Sequence, residues 1–244
     1  MATRYNYTGG IVTDGLVLHL DAAKRDSYPG SGTTWYDLSG NGNNGTVYNG
    51  PLYSGISKDS SIDFDGADDY VDCGDIIEGL TAFTAESWIN TTDTRTGPNG
   101  SYHNPSIFGT QHGSGTSGDF ALCLKAGNLG FYHELNGSSQ YRDTNTEVSD
   151  GNWHHVAATK TTDGTIEVYL DGSSIYSATG FTYALRYRSQ LNYNWEVGRA
   201  YWPNEDANMR RYDGKIATHM LYNRALTASE ITQNYNALKG RYGL

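Results

Sequence analysis

Long apolar runs are missing from this chain. Between Met1 and Leu20 the longest uninterrupted apolar stretch is Leu16-Val17-Leu18, too short for a signal-peptide core, and no later segment offers a transmembrane span. Cysteine is almost absent as well. Cys73 and Cys123 are the two, too few for a disulfide framework, and both are expected to be unpaired strand thiols acting as small hydrophobes. Positive charge is scarce: 17 Lys and Arg stand against 27 Asp and Glu, for a net charge of −10. A phosphate backbone needs a basic surface, so nucleic acid is excluded as a partner. Apolar residues make up only 37% of the chain, while 30 glycines and 20 tyrosines suit many short strands, tight turns and wet outer faces rather than a helical bundle.

What is present is alternation. Leu16, Leu18 and Leu20 alternate with Val17 and His19; Phe120, Leu122 and Leu124 with Ala121, Cys123 and Lys125; Ile166, Val168 and Leu170 with Glu167, Tyr169 and Asp171. Near the end, Ile216, Thr218, Met220 and Tyr222 form one face opposite Ala217, His219 and Leu221. A period of two puts one face on a core and the other in solvent. Turn signals such as Asn41-Gly42, Asp65-Gly66 and Asp163-Gly164 separate these runs, and Asp171-Gly172 marks a tight hairpin. About a dozen strands are predicted, enough for a two-sheet sandwich. One helix stands apart, over about 228–239. Thr227-Ala228-Ser229-Glu230 is its capping box, Ile231, Tyr235 and Leu238 share a face, and Gly240 stops it. Residues 91–118 and 182–212 are too irregular for ordinary turns, and long loops in a compact domain tend to carry function.

The same elements form an ordered series along the chain. It runs through Trp35-Tyr36-Asp37-Leu38-Ser39-Gly40-Asn41-Gly42, Ile62-Asp63-Phe64-Asp65-Gly66, Phe83-Thr84-Ala85-Glu86-Ser87-Trp88-Ile89, Trp153-His154-His155-Val156-Ala157 and Val168-Tyr169-Leu170-Asp171-Gly172, and it closes with Tyr222-Asn223-Arg224-Ala225-Leu226-Thr227. In this order the set resembles the laminin-G-like, concanavalin A-like jelly-roll family over about residues 14–239. The resemblance implies an all-β, two-sheet antiparallel jelly roll with one short C-terminal helix, in a single domain over 14–244 that follows an N-terminal arm, 1–13. That polar arm carries Tyr5, Tyr7 and Ile11 and is expected to order on docking. Two blocks, Tyr28-Pro29-Gly30-Ser31-Gly32-Thr33-Thr34-Trp35 and Glu230 through Tyr242, further resemble segments of laminin-G-like virion proteins of tailed, notably marine, phages. This implies a non-enzymatic structural or decoration protein on the virion surface. It would dock on other virion proteins, assemble as a homo-oligomer and aid adhesion to host-surface glycans. The alternative is a carbohydrate-binding lectin module of a bacterial surface or secreted protein.

The chemistry of individual residues narrows these options. Retaining glycosidases use two carboxylates about 5–5.5 Å apart, and glucanases of this fold carry them as Glu-x-Asp-x-x-Glu on one strand. That motif does not occur here, so no catalytic residue is assigned. A third option, a glycosidase using Glu86 or Glu134, would need an unrecognised partner carboxylate. His154 and His155 are adjacent on a strand, point to opposite faces and cannot chelate one ion together. Asp63, Asp65, Asp68 and Asp69 crowd one short stretch and are the candidate calcium ligands, although Asp also caps turns there. Sugar or partner binding calls for aromatic faces beside amides and carboxylates, which Tyr183, Tyr187, Tyr201, Trp202, Asn204 and Asp206 supply in one region. Trp195 is expected in the core instead. Charge is uneven: residues 1–180 carry 8 basic against 22 acidic residues, and 181–244 carry 9 against 5. Neighbouring copies could attract through this asymmetry, but interleaved strands would erase it, and interleaving is the favoured expectation.

Overall fold

The computed structural model describes residues 10–55, 57–97, 104–110, 118–135, 138–185, 194–200 and 211–244. In chain order the strands are β1 (Leu16–Asp21), β2 (Thr34–Trp35), β3 (Gly45–Tyr48), β4 (Leu52–Tyr53), β5 (Ile62–Asp65), β6 (Tyr70–Asp72), β7 (Phe83–Asn90) and β8 (Ser106–Thr110). There follow β9 (Phe120–Lys125), β10 (Asn128–Leu135), β11 (Ser138–Glu147), β12 (Trp153–Lys160), β13 (Ile166–Leu170), β14 (Ser173–Ala178), β15 (Glu196–Val197) and β16 (Asp213–Tyr222). Helix α1 (Ala228–Leu238) and a 3-10 turn (Lys239–Arg241) close the chain. The first sheet runs β14-β13-β12-β7-β16-β5-β4, with β1 also paired to β16; the second runs β11-β10-β9-β8-β15-β6-β3-β2. All the strand pairings are antiparallel. The two-sheet jelly roll read from the sequence is therefore the fold.

The main core lies between the sheets. Phe64, Phe83, Ile89, Phe108, Phe120, Leu122, Phe131, Val156, Val168, Trp195 and Leu221 are all buried there. Trp195 takes its expected core place, and its indole N–H donates to His219 at 2.8 Å. Burial lowers the His219 pKa to about 3, so the ring is neutral and accepts that bond. Cys73 and Cys123 are buried and unpaired, as their surroundings suggested. The Asp171-Gly172 hairpin also holds. Both residues have positive φ, 49° and 78°, which is the type I′ turn that matches strand twist.

Three expectations need correction. The sixteen strands among the described residues exceed the dozen predicted, because β2, β4 and β15 have two residues each and leave no periodic signature. β8 and β15 also fall inside the segments read as irregular. Second, the faces of β1 and β16 switch along their lengths. Register shifts between Leu16 and Leu18 and between Ile216 and Thr218 put Leu18, Leu20 and Ile216 in the main core, with Leu16, Met220 and Tyr222 on the opposite side. A bulge inserts one residue and so inverts a period-2 pattern. Third, the outer face of the first sheet is covered rather than exposed to bulk solvent. Ala157, Tyr169, Met220, Tyr222, Val12, Leu226 and Ile231 form a second core between that face and α1.

Helix α1 forms where its capping box predicted it. Thr227 accepts from the Glu230 backbone, Glu230 reaches back to Thr227, and Arg224 clamps the Glu230 carboxylate at 2.6 Å. Its inward face carries Asn234, whose Nδ2 donates to Glu86 at 2.5 Å while its Oδ1 accepts from the Val12 N–H at 2.7 Å. Ile11 and Val12 of the N-terminal arm therefore pack on this chain's own helix and second core, whereas residues 1–9, with Tyr5 and Tyr7, lie outside the described residues.

Glu86 is completely buried, its second oxygen 3.1 Å from His155 Nε2. Removing one partner of a buried charge leaves it undersolvated. Asn234→Ala is accordingly expected to destabilise the fold by about 2–4 kcal/mol in urea unfolding. Gln233→Ala, which loses only an exposed bond to the Gly10 carbonyl, should cost under about 0.5 kcal/mol.

Candidate functional site

A groove of about 340 Å³ opens at one rim of the sandwich, where the β3–β4 turn meets the β5–β6 turn. Asn49, Leu52, Asp63, Asp65, Asp69 and Asp213 line it. Antiparallel pairing dictates this crowding. β5 lies between β4 and β16, which sets Asp65 directly across from Asp213, and Asp63 across from both Leu52 and Lys215. Like charges placed opposite one another in a sheet are unfavourable, so the turn needs compensation. Arg95 provides it. Its guanidinium grips Asp93 through two 2.8 Å bonds, donates to the carbonyls of Gly66 and Arg211, and stands 3.8 Å from Asp213. Gly66 has a φ of 69°, and a Cβ there would collide with Arg95 and Asp213.

The acidic side chains have unequal environments. Asp65 is held below the ordinary carboxylate range by the N–H groups of Ala67 and Asp68, the turn-capping arrangement. Asp69 is buried, which raises its pKa; the charges of Asp65 and Asp68 add to the rise, and a bond from the Asp65 N–H opposes it. Asp213 is raised by burial too, with Arg95 opposing. Of the four candidate calcium ligands, the fold gathers Asp65, Asp68 and Asp69, with one oxygen from each within 4.8 Å of the others. A hard cation coordinated at 2.3–2.6 Å fits such a spacing. Asp63 lines the groove but stands outside that triad.

An aromatic stack borders the groove on the second sheet. Tyr48, at the end of β3, lies flat on Tyr70 at the start of β6, with ring centroids 4.6 Å apart and planes 7° apart. The Arg199 guanidinium covers the other face of Tyr70 at 3.4 Å and is itself held by Glu196 through bonds of 2.9 and 2.6 Å. Tyr48 remains 40% exposed. Asn49, which follows Tyr48, and Asp69, which precedes Tyr70, both line the groove, so the stack adjoins its wall.

Of the sugar-binding candidates named from sequence, only Tyr183 is described, and it lies elsewhere. Tyr183 is half-buried in a segment that pairs with Gly79 and Leu80, ahead of the Phe83 end of β7. The groove lies beyond the Asn90 end of that strand. Tyr187, Tyr201, Trp202, Asn204 and Asp206 fall outside the described residues. Sequence reasoning missed Tyr48, Tyr70, Arg199 and Asp213 as site residues. The available signal was a tyrosine at the strand end on each side of the Asn49-Gly50 and Asp65–Asp69 turns. The glycosidase option loses Glu86, which is sealed beneath α1 with both oxygens engaged. Glu134 has no described side chain.

Two sheets in jelly-roll order, with a rim groove beside a stacked aromatic pair, define a protein of the lectin-like sandwich class. The chain belongs to the concanavalin A-like lectin/glucanases superfamily, whose laminin-G-type family profile matches residues 65–232. No curated protein sequence matches it. Among solved structures it is similar to domain 4 of AbnA, an extracellular arabinanase of Geobacillus stearothermophilus, in complex with arabinotriose. That likeness has a TM-score of 0.64 at 20% identity and covers 90% of this chain and 98% of that one. It is also similar to the binding domain of Paraclostridial Mosquitocidal Protein 1, with a TM-score of 0.64, 19% identity and coverage of 92% and 52%. The binding domain of botulinum neurotoxin DC, in complex with SialylT, gives 0.63, 17%, 93% and 52%. This chain thus spans about half the length of the two toxin domains, and at such identities the likeness is one of fold.

The raised pKa of Asp69 fixes a pH dependence. The folded state holds this proton more tightly than the unfolded chain, so ionising Asp69 costs stability as pH rises through its pKa. Asp69→Asn keeps an acceptor for the Asp65 N–H and removes the charge. In EDTA the variant should melt above wild type at neutral pH, with the gap closing as pH falls toward the ordinary value of 3.8. Melting curves across pH check this; a constant gap, or a less stable variant at neutral pH, would count against it.

Proposed function

We propose that this chain is a non-catalytic carbohydrate-binding domain that takes glycans at the rim groove, carried on the surface of a tailed-phage particle. One observation carries the binding reading. An exposed tyrosine, preorganised by stacking on Tyr70, flanks a groove whose walls offer an amide and several carboxylates. Sugar recognition combines an apolar ring face with a few oriented polar groups, and this rim supplies both without loop ordering. Family membership and the fold likeness to an arabinanase domain solved with arabinotriose support the same reading. The particle location rests on the resemblance of residues 28–35 and 230–242 to phage virion segments.

The test is a glycan array with the purified protein, in calcium and again in EDTA. Binding by wild type is expected to fall at least about tenfold in Tyr48→Ala, the loss of about 1.4 kcal/mol that a stacked ring supplies. Tyr36→Ala, which alters an exposed tyrosine outside the groove, should bind as wild type does. Loss in EDTA would place Asp65, Asp68 and Asp69 in the binding event through an ion. Undiminished binding by Tyr48→Ala would move the site to Trp202 and its neighbours. Antibody labelling of intact particles addresses the location, and unlabelled particles would remove it.

A further inference from the structure

A row of polar side chains crosses the outer face of the first sheet beneath the C-terminal segment. Strand register places His155 beside Trp88, and Trp88 beside Thr218. Adjacent strands lie about 4.7–4.9 Å apart, so these side chains are immediate neighbours. All three residues are fully buried. The segment after α1 closes over them: the Tyr242 ring stacks on Trp88 at 4.2 Å, and Tyr235 of α1 stacks on it at 5.6 Å. Among the described residues, none offers a hydrogen-bond partner to Trp88 Nε1, Thr218 Oγ1, His155 Nδ1 or Tyr242 Oη.

We propose that this seam between the sheet and the C-terminal segment binds a small cluster of internal water. A buried polar atom without a partner forfeits its hydration and is costly to the fold. Native folds hold few such atoms, yet four come from this row and the ring stacked on it. Their chemistry matches water. The indole is a donor only. His155, with Nε2 turned to Glu86, presents Nδ1, which accepts or donates according to the ring's tautomer, and the two hydroxyls can do either. An internal water needs two to four such partners. A metal ion finds no ligand set, since an indole N–H offers no lone pair and both Glu86 oxygens are engaged. None of the seam residues lines the rim groove, so the two are distinct. It anchors the C-terminal turn partly through solvent, beside the direct Arg241–Asp21 pair at 2.7 Å.

The Trp88 indole proton reports on this directly. In NMR spectra of the full chain, its signal should show a cross-peak to long-lived bound water. Thr218→Val, which keeps shape and removes the hydroxyl, should weaken that cross-peak and speed exchange of the indole proton on the order of tenfold as the segment loosens. Tyr242→Phe removes a single oxygen from the stacked ring and provides the same readout if the valine variant folds poorly. A Trp88 indole proton without a water cross-peak in wild type would overturn the proposal. So would valine and phenylalanine variants that both exchange no faster than wild type.

Discussion

The constraint on which the rest depends is the need to hydrogen-bond Glu86 on the outer face of the first sheet. A carboxylate at the middle of a central strand forbids a dry layer above it unless donors arrive from outside the sheet. They arrive from two sides, His155 on the neighbouring strand and Asn234 on α1. Asn234 also receives the Val12 N–H and donates to the Tyr222 hydroxyl, which donates in turn to the Val12 carbonyl. One polar network thereby ties the start of the described chain, the central sheet and the C-terminal helix together. The helix is held by this network together with the apolar second core, and with it in place the sheet is covered on both faces.

The rim groove follows the opposite logic. There, the fold tolerates a set of acids that repel one another, with Arg95 as brace. Burial and neighbouring charge raise both Asp69 and Asp213, so at neutral pH the groove stores unfavourable electrostatic energy. Sites selected for binding commonly keep such local cost while the scaffold carries stability elsewhere. The Tyr48–Tyr70–Arg199 stack is rigid for a similar reason: Glu196 fixes the guanidinium, which covers one tyrosine and leaves the other face of the pair to solvent.

The fold was largely legible because its strands alternate and its turns use residues that accept positive φ. Asp171-Gly172 and the Thr227–Glu230 capping box each specify local geometry within a few residues. The bulges of β1 and β16 were not legible, since one inserted residue leaves composition unchanged while inverting every face beyond it. The site was legible only in part. The acids of the β5–β6 turn are close in sequence and could be seen. Asp213 joins them solely through β5–β16 pairing, across some 150 residues. Tyr48 and Tyr70 meet through β3–β6 pairing in the same way. The loop aromatics drew notice by density, a signal that carries no information about where the chain returns.

Charge distribution shows what long-range pairing does to a sequence-level pattern. The acidic first part and basic last part suggested attraction between copies, but the topology brings the two parts together within one molecule. β16 sits between β7 and β5, and Lys215 pairs across from Asp63. Arg241 grips Asp21 with two bonds, Arg224 reaches Asp14 at 2.9 Å, and Arg211 donates to the Ala67 carbonyl in the acidic turn. The exposed Arg224–Asp14 pair contributes little to stability, whereas the Arg241 pair, on a buried carboxylate, holds the last turn in place. Among the described residues, these cations of the last part are engaged by groups of the first. Interleaving of this kind weakens charge asymmetry along the sequence as an argument for attraction between copies.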